Sequence, residues 1–172
     1  MFIKYIKELS LKKILKSSLD NVKPSTLSSS IKTVGVLIDE SYFQQTEDLI
    51  KELIESGIVQ SDIKILIFRN KIKKNEQLIH DTFSRKNMNW RGEFKQEFVA
   101  EFLKFPFDML ISYYDTEKKP LLLATHQSKA LFKVGFSTVD KRLNHLMINT
   151  NVENYKVFVH ELFRYLKILN KI

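Results

Sequence analysis

The chain has 172 residues, 44% of them hydrophobic, and contains no cysteine. Its length suits one domain, and its hydrophobic content is enough to bury a core, which excludes a globally disordered chain. The absence of cysteine excludes disulfides, thiolate metal sites and a cysteine nucleophile, and we expect a cytoplasmic location. No apolar run approaches the roughly 18–20 residues that span a bilayer, and early lysines interrupt any signal-peptide core.

The formal net charge of +8 is unevenly spread along the chain. Residues 1–32 hold seven lysines against two acidic residues, which gives this segment a net charge of +5. The other 140 residues hold 21 basic and 18 acidic side chains and are nearly balanced. A basic leading segment predicts an anionic partner such as RNA, DNA or an acidic membrane surface.

The leading segment has its own pattern. Residues 2–19 carry apolar side chains at helical spacing with lysines between them, and residues 17–30 are rich in Ser, Thr and Asn. This predicts a basic amphipathic helix and a Ser-rich linker over 1–32, followed by a single α/β domain over 33–172. The helix either docks on a membrane surface or a partner, or packs on its own domain.

The domain begins with a strand, a helix and a second strand. Residues 33–38 form an apolar, β-branched run, residues 43–56 carry an apolar helical stripe that ends before Gly57, and residues 63–68 form a second apolar run. Strands buried on both faces read this way, and a β–α–β order predicts a right-handed parallel crossover.

Further elements follow an irregular stretch over residues 69–92. Only six residues separate the last two predicted strands, too few for a helical crossover, so those strands form either a hairpin or neighbours with a non-strand connection. Together the elements predict a three-layer, Rossmann-like α/β sandwich with a mainly parallel sheet of five or six strands. We predict a brief strand at 81–84, a helix at 94–103, a strand at 108–113, a helix at 120–130, strands at 131–136 and 143–148, and a helix at 152–169.

Polar residues follow three of the predicted strands. Because ligands of open parallel sheets bind beyond the carboxyl ends of the strands, an enzyme would use Asp39, Arg69 and Asp115. His126 or His145 would then act as an acid or base with Asp115. The alternative is that these polar residues cap helices and solvate turns.

Several kinds of site are absent from the sequence. Its four glycines are isolated, so that neither standard Gly-rich phosphate loop occurs and we expect no nucleotide cofactor. No two of its four histidines stand three or four residues apart, and we expect no metal. A Gly-x-Ser-x-Gly nucleophile motif is also missing.

Our leading hypothesis is a non-enzymatic binding module that docks on RNA or a ribonucleoprotein. A small enzyme or a peripheral membrane-surface protein is the alternative. Trp90 and Arg91 form an aromatic–basic loop that either stacks on bases or closes the hydrophobic edge of the domain. The phosphate contacts are assigned to clustered basic residues, namely Lys4, Lys7, Lys12, Lys13, Lys16, Arg69, Lys71, Lys73 and Lys74.

Two stretches, residues 107–112 (FDMLIS) and 130–136 (ALFKVGF), carry a resemblance. The chain is similar over most of its length to short, uncharacterised α/β proteins of flavobacteria and their relatives. The same stretches resemble the amino-terminal half of heptosyltransferase-type glycosyltransferases, in which a hydrophobic strand, a helix and a Lys-x-Gly-Phe strand recur in this order. In those enzymes a second Rossmann-like domain mainly holds the sugar-nucleotide donor, so the resemblance implies no glycosyl transfer by these residues alone.

Overall fold

A computed structural model describes residues 30–172 of the chain. The predicted amphipathic helix lies outside the described residues, as does all but the end of the linker. The described elements, in chain order, are β1 (Val34–Asp39), α1 (Thr46–Glu55), β2 (Ile63–Phe68), β3 (Asp81–Phe83), α2 (Glu97–Lys104), β4 (Met109–Tyr113), α3 (Lys119–Gln127), β5 (Phe132–Phe136), β6 (Leu146–Ile148) and α4 (Tyr155–Ile168), with short 3-10 turns at Gln60–Asp62 and Arg85–Asn87.

The six strands form one sheet in the order β3-β2-β1-β4-β5-β6. Every neighbouring pair is parallel. β1 and β4, at the centre of the sheet, are mostly apolar and are buried along their whole length. This agrees with the prediction of an α/β sandwich with a mainly parallel sheet of five or six strands, because a strand covered on both faces needs apolar side chains in both directions.

Helices cover the two faces of the sheet in pairs. α1 contacts α4 on one face, and α2 contacts α3 on the other. On the first face Tyr113 packs against Phe43, Phe136 and Phe158 with ring centroids 4.9–5.1 Å apart. On the second face Phe107 lies so close to Gly35 that a Cβ there would stand 2.8 Å from its ring, so the glycine allows the close packing.

The sequence left open whether β5 and β6 form a hairpin or are neighbours with a non-strand connection, and the structure shows the second arrangement. The strands are parallel neighbours, and β6 pairs only with Val134–Phe136 of β5. The amide of His145 donates to the carbonyl of Lys133 at 2.8 Å, so that the chain has turned back by only three strand positions. Three positions span roughly 10 Å, a distance that an irregular connection crosses without a helix.

Two predicted helices begin later than their patterns indicate. α1 starts at Thr46 rather than at residue 43, because the amide of Phe43 donates to the carbonyl of Asp39 in a turn and its ring fills the core. α2 starts at Glu97 rather than at residue 94, because Phe94 forms an antiparallel bridge with Met88. In both cases an aromatic residue that fits the helical spacing packs against the core from a loop.

Within residues 30–172, no helix is long and apolar enough to cross a membrane. The amide of Ile31 donates to the carbonyl of Lys171 at 2.8 Å, so the start of the described chain lies beside the end of α4. The carboxylate of Asp108 accepts the amides of Lys32 and Thr33 at 2.9 and 2.8 Å. These contacts lie at the amino edge of the sheet, where β1 begins.

Candidate functional site

The connections of β1 and β4 create a crevice at the carboxyl edge of the sheet. These two strands are neighbours, but the helices that follow them, α1 and α3, lie on opposite faces. The loops that leave the two strands therefore separate, and ligands of open α/β sheets bind at such a point.

A cleft of about 430 Å³ opens at this edge, and we call it the carboxyl-edge cleft. This volume falls within the range of about 300–1,000 Å³ that small-ligand sites occupy. Three cations and no acidic side chain line it, and its residues follow the ends of β1, β2, β3 and β4. They are Tyr42, Phe68, Asn70, Arg85, Lys118, Lys119 and Pro120.

Lys118 joins the cleft to the interior of the fold. Its ammonium lies 2.5 Å from Oδ2 of Asp39, a side chain that is 4% exposed at the end of β1. The same ammonium lies 4.3 Å from the ring centroid of Tyr42 and 5.2 Å from that of Phe68. Beyond this ion pair, the ammonium has no hydrogen-bond acceptor among the described residues. The ammonium is itself buried, so that Lys118 neutralises the carboxylate of Asp39 beneath the cleft.

A tight turn fixes the side of the cleft that Tyr42 forms. Oδ1 of Asp39 accepts the amide of Ser41 at 2.9 Å, and the hydroxyl of Ser41 accepts the amide of Asn70 at 3.0 Å. Phe43 is buried, whereas Tyr42 is 65% exposed. The turn thus holds a large aromatic ring in solvent beside the ammonium of Lys118.

The first turn of α3 adds to the positive potential of the cleft. It carries no acidic side chain, and no side chain caps it. Pro120 occupies this turn, as the sequence predicts, where its missing N–H costs nothing. The amino end of a helix has a partial positive charge that attracts anions.

A second depression, which we call the acidic pocket, lies beside the start of α1. It has a volume of about 250 Å³. Its charged residues are three acids, one arginine and one histidine. They are Glu40, Glu47, Asp48, Arg69 and His80.

Most charges of the acidic pocket are paired within the chain. Arg69 donates through Nε and Nη2 to Oε2 of Glu40 at 2.9 and 2.7 Å, and through Nη1 to Glu76 at 2.6 Å. The hydrogen bond to Glu40 raises the pKa of Arg69 above its ordinary value. The pKa of Glu76 is lowered, first by the amide of Lys73 and then by Arg69. His80 lies 2.6 Å from Glu47. Arg69 therefore ties the loop over residues 69–80 to the turn after β1, and His80 joins the same loop to α1.

The three catalytic candidates of the sequence, Asp39, Arg69 and Asp115, make separate contacts. Asp39 pairs with Lys118 and Arg69 with two glutamates, as described above. Asp115 accepts the amide of Val152 at 3.1 Å and so holds the loop that precedes α4. Neither depression is lined by all three. Their use in catalysis stays a prediction.

The two histidines proposed as partners of Asp115 lie toward the opposite edge of the sheet. His126 is in the last turn of α3, whose first turn is near Asp115. The ring of His145 accepts the amide of Lys133, and Lys133 pairs with Leu110 near the start of β4. Three strand positions, or roughly 10 Å, separate Leu110 from the end of β4 alone. The fold thus separates both histidines from Asp115.

Lys133 is a buried cation away from both depressions. It is 7% exposed, and its ammonium donates to the carbonyls of Thr125 and His126 at 2.7 and 3.3 Å. These carbonyls belong to the end of α3, where a cation interacts favourably with the helix dipole. Burial still lowers the pKa of Lys133 to about 8. Its contacts fit a helix cap.

Apart from Arg69, the basic residues predicted to contact phosphate fall into two groups. Lys71, Lys73 and Lys74 are exposed on the loop that Arg69 anchors. The five lysines of the leading segment, Lys4, Lys7, Lys12, Lys13 and Lys16, lie outside the described residues.

Trp90 lies on the surface rather than beneath a connection. It is 52% exposed, and the guanidinium of Arg91 lies 4.9 Å from its ring. The side chain of Gln127, at the end of α3, donates to the carbonyl of Gly92 and ties this loop down. The loop is therefore attached at the end of α3 that points away from the carboxyl-edge cleft.

The sequence predicts a site at the edge of the sheet where the cleft lies, but it does not single out Lys118, Lys119 or Tyr42. A usable signal was present, since two lysines precede Pro120 at the start of a helix that follows a buried strand. An exposed tyrosine beside a buried phenylalanine has no comparable signal, because only the turn decides which ring enters the core.

Within the part of the chain that the structure describes, no group of three or more His, Asp or Glu side chains is arranged to hold a metal ion. Residues 7–169 match DUF6913, a family of unknown function, and the chain belongs to this family. No curated protein and no solved structure matches the chain.

Proposed function

We propose that this chain is a non-enzymatic binding module that docks on RNA or a ribonucleoprotein and holds a backbone phosphate in the carboxyl-edge cleft. The observation that carries the proposal is the charge of this cleft. Arg85, Lys118 and Lys119 line it, and no acidic side chain does.

The chemistry of the cleft suits a phosphate group. Lys118 and Lys119 stand at the start of α3, and Arg85 lines the same cleft from the end of β3. Phosphate oxygens accept hydrogen bonds from lysine and arginine, and a helix amino terminus adds a favourable potential. Carboxylates would repel a phosphate, and none lines the cleft.

The surface around the cleft extends the proposed interface. Lys71, Lys73 and Lys74 lie on the loop that follows Asn70, and Lys86 follows Arg85. RNA is long enough to contact such a dispersed set of cations, whereas a small anion is not. The lysines of the leading segment would add phosphate contacts to the same RNA.

Two finer expectations accompany the proposal. The absence of cysteine is consistent with action in the reducing cytoplasm. The resemblances to flavobacterial proteins and to half of a heptosyltransferase-type enzyme are consistent with a ligand-binding α/β unit. We propose that they reflect common ancestry.

A salt titration with charge-reversed variants tests the proposal. We expect the affinity of the wild type for RNA to fall steeply as salt increases, because phosphate binding releases counterions. We expect Arg85→Glu with Lys119→Glu to weaken binding roughly tenfold or more at low salt. The matched control is Lys104→Glu with Lys129→Glu, which changes the net charge equally from exposed sites at the amino edge.

Three outcomes contradict the proposal. They are no RNA binding at low salt, an affinity that salt does not change, and an equal loss in the two double variants. The third would mean that net charge, and not the cleft, governs binding. Binding to phosphatidylserine vesicles without binding to RNA would favour a membrane-surface protein instead.

A further inference from the structure

We infer that the carboxyl-edge cleft takes one unpaired nucleotide of a single strand, with its base stacked on Tyr42 and its phosphate at Arg85 and Lys119. This inference rests on the proposed function and specifies the form of RNA that the site accepts.

The exposed ring of Tyr42 supplies the first argument. Tyr42 is 65% exposed, although the neighbouring Phe43 is buried. Hydrogen bonds from Ser41 and Phe43 to Asp39 fix the turn on both sides of it. A ring held in solvent by a fixed turn is a platform whose stacking with a base requires little ordering of the protein.

The cations around Tyr42 supply the second argument. The ammonium of Lys118 lies 4.3 Å from the ring centroid of Tyr42, so that a cation backs the ring. Arg85 and Lys119 line the same cleft as that ring. A stacked base and a bound phosphate would then be neighbours, as they are within one nucleotide.

The cleft itself supplies the third argument. Its volume of about 430 Å³ suits one small ligand. The exposed side chain of Asn70 lines it and offers both a donor and an acceptor, which suit a base edge or a ribose 2′-hydroxyl.

Together these features favour a single strand over a duplex. In a double helix each base is stacked on its neighbours, and its faces are closed to a protein side chain. A stacking platform inside a cationic groove is the usual arrangement of proteins that bind single strands with little sequence preference.

The test measures the binding of two probes to the whole chain, an eight-nucleotide uridine RNA and a blunt RNA duplex of eight base pairs. We expect the single strand to bind roughly tenfold more tightly than the duplex. We expect Tyr42→Ala to weaken single-strand binding by roughly fivefold to a hundredfold, and Tyr42→Trp to retain it. Trp90→Ala is the matched control, since it removes the exposed ring at the other end of α3, and we expect wild-type binding.

The outcomes separate this inference from the proposed function. If the wild type binds neither probe, both fail. If it binds the duplex as tightly as the single strand, and Tyr42→Ala behaves as the wild type, only the inference fails. A loss in Trp90→Ala with none in Tyr42→Ala also overturns it. Thermal unfolding of each variant verifies that lost binding is not lost folding.

Discussion

The carboxyl-edge cleft and the acidic pocket lie at the same edge of the sheet, yet their charged side chains are arranged differently. In the acidic pocket, Arg69 is shared by Glu40 and Glu76. In the carboxyl-edge cleft, the buried ammonium of Lys118 pairs with Asp39, and Arg85 and Lys119 line the cleft without an acidic side chain. The first arrangement holds a loop in place, and the second leaves the cleft with an excess of positive charge.

The helices that begin at the two depressions differ in the same way. The first turn of α1 carries Glu47 and Asp48, which offset the positive end of the helix dipole within the chain. The first turn of α3 carries no acid. A cluster of basic residues in a sequence therefore does not identify a binding site until its internal partners are known.

The largest expected effect tests whether the cleft depends on its ion pair. Lys118→Met leaves the carboxylate of Asp39, which is 4% exposed, without a cation. We expect a loss of about 3–5 kcal/mol in the free energy of unfolding at neutral pH, because a buried charge loses its partner. Urea unfolding measures it.

The double variant Asp39→Asn, Lys118→Met should recover part of that loss, since it removes both charges. The matched control is Lys51→Met, whose pair with Glu55 is exposed, and we expect a loss under about 0.5 kcal/mol. A Lys118→Met protein as stable as this control would show that Asp39 does not need the pair.

The next effect compares Lys118 with Lys133, a buried lysine whose ammonium donates to two backbone carbonyls. In the folded chain the pKa of Lys133 is about 8, against an ordinary 10.5. Between these values the unfolded chain binds more protons, so stability rises with pH. We expect a gain of about 2 kcal/mol between about pH 7.5 and 9.5.

Above that range the gain should reverse, because burial raises the pKa of Tyr113 and Tyr114 and the unfolded chain ionises its tyrosines first. The measurement is the free energy of unfolding across pH. Lys133→Met should abolish the rise, and Lys104→Met, at an exposed site, should keep it. A wild-type profile that is flat over this range would contradict the assignment.

The smallest effect separates the acidic pocket from RNA binding. Arg69→Met leaves Glu40, which is 10% exposed, without its bidentate partner, and we expect a loss of about 2 kcal/mol in stability. We also expect RNA affinity to stay within about twofold of the wild type, because Arg69 is engaged with two glutamates. Unfolding and RNA titration of one preparation measure both. A large loss of affinity at unchanged stability would make Arg69 a phosphate contact.

The sequence predicts the sheet well because the information is local. Apolar, β-branched runs identify β1, β2 and β4, and Pro120 marks the start of α3 without reference to the rest of the chain. The pairing of β5 with β6 stayed open, since their connection depends on how far the chain turns back along β5.

The candidate site depends on contacts that the sequence does not specify. Arg69 and Glu40 are 29 residues apart, and no local pattern indicates that they meet. The same holds for Lys118 and Asp39. Strand ends therefore predict where a site lies. Tertiary packing decides which charged side chains pair within the chain and which remain for a ligand.

The hydrogen bond between Ile31 and Lys171 has a practical consequence. It brings Ile31 and the end of α4 together at the amino edge of the sheet. This edge lies roughly 20 Å from the cleft, because the six residues of β1 run between the two. A fluorophore or an immobilising anchor placed after α4 would face away from the carboxyl-edge cleft. The domain can thus be mounted on a sensor surface with its cleft toward the flowing solution.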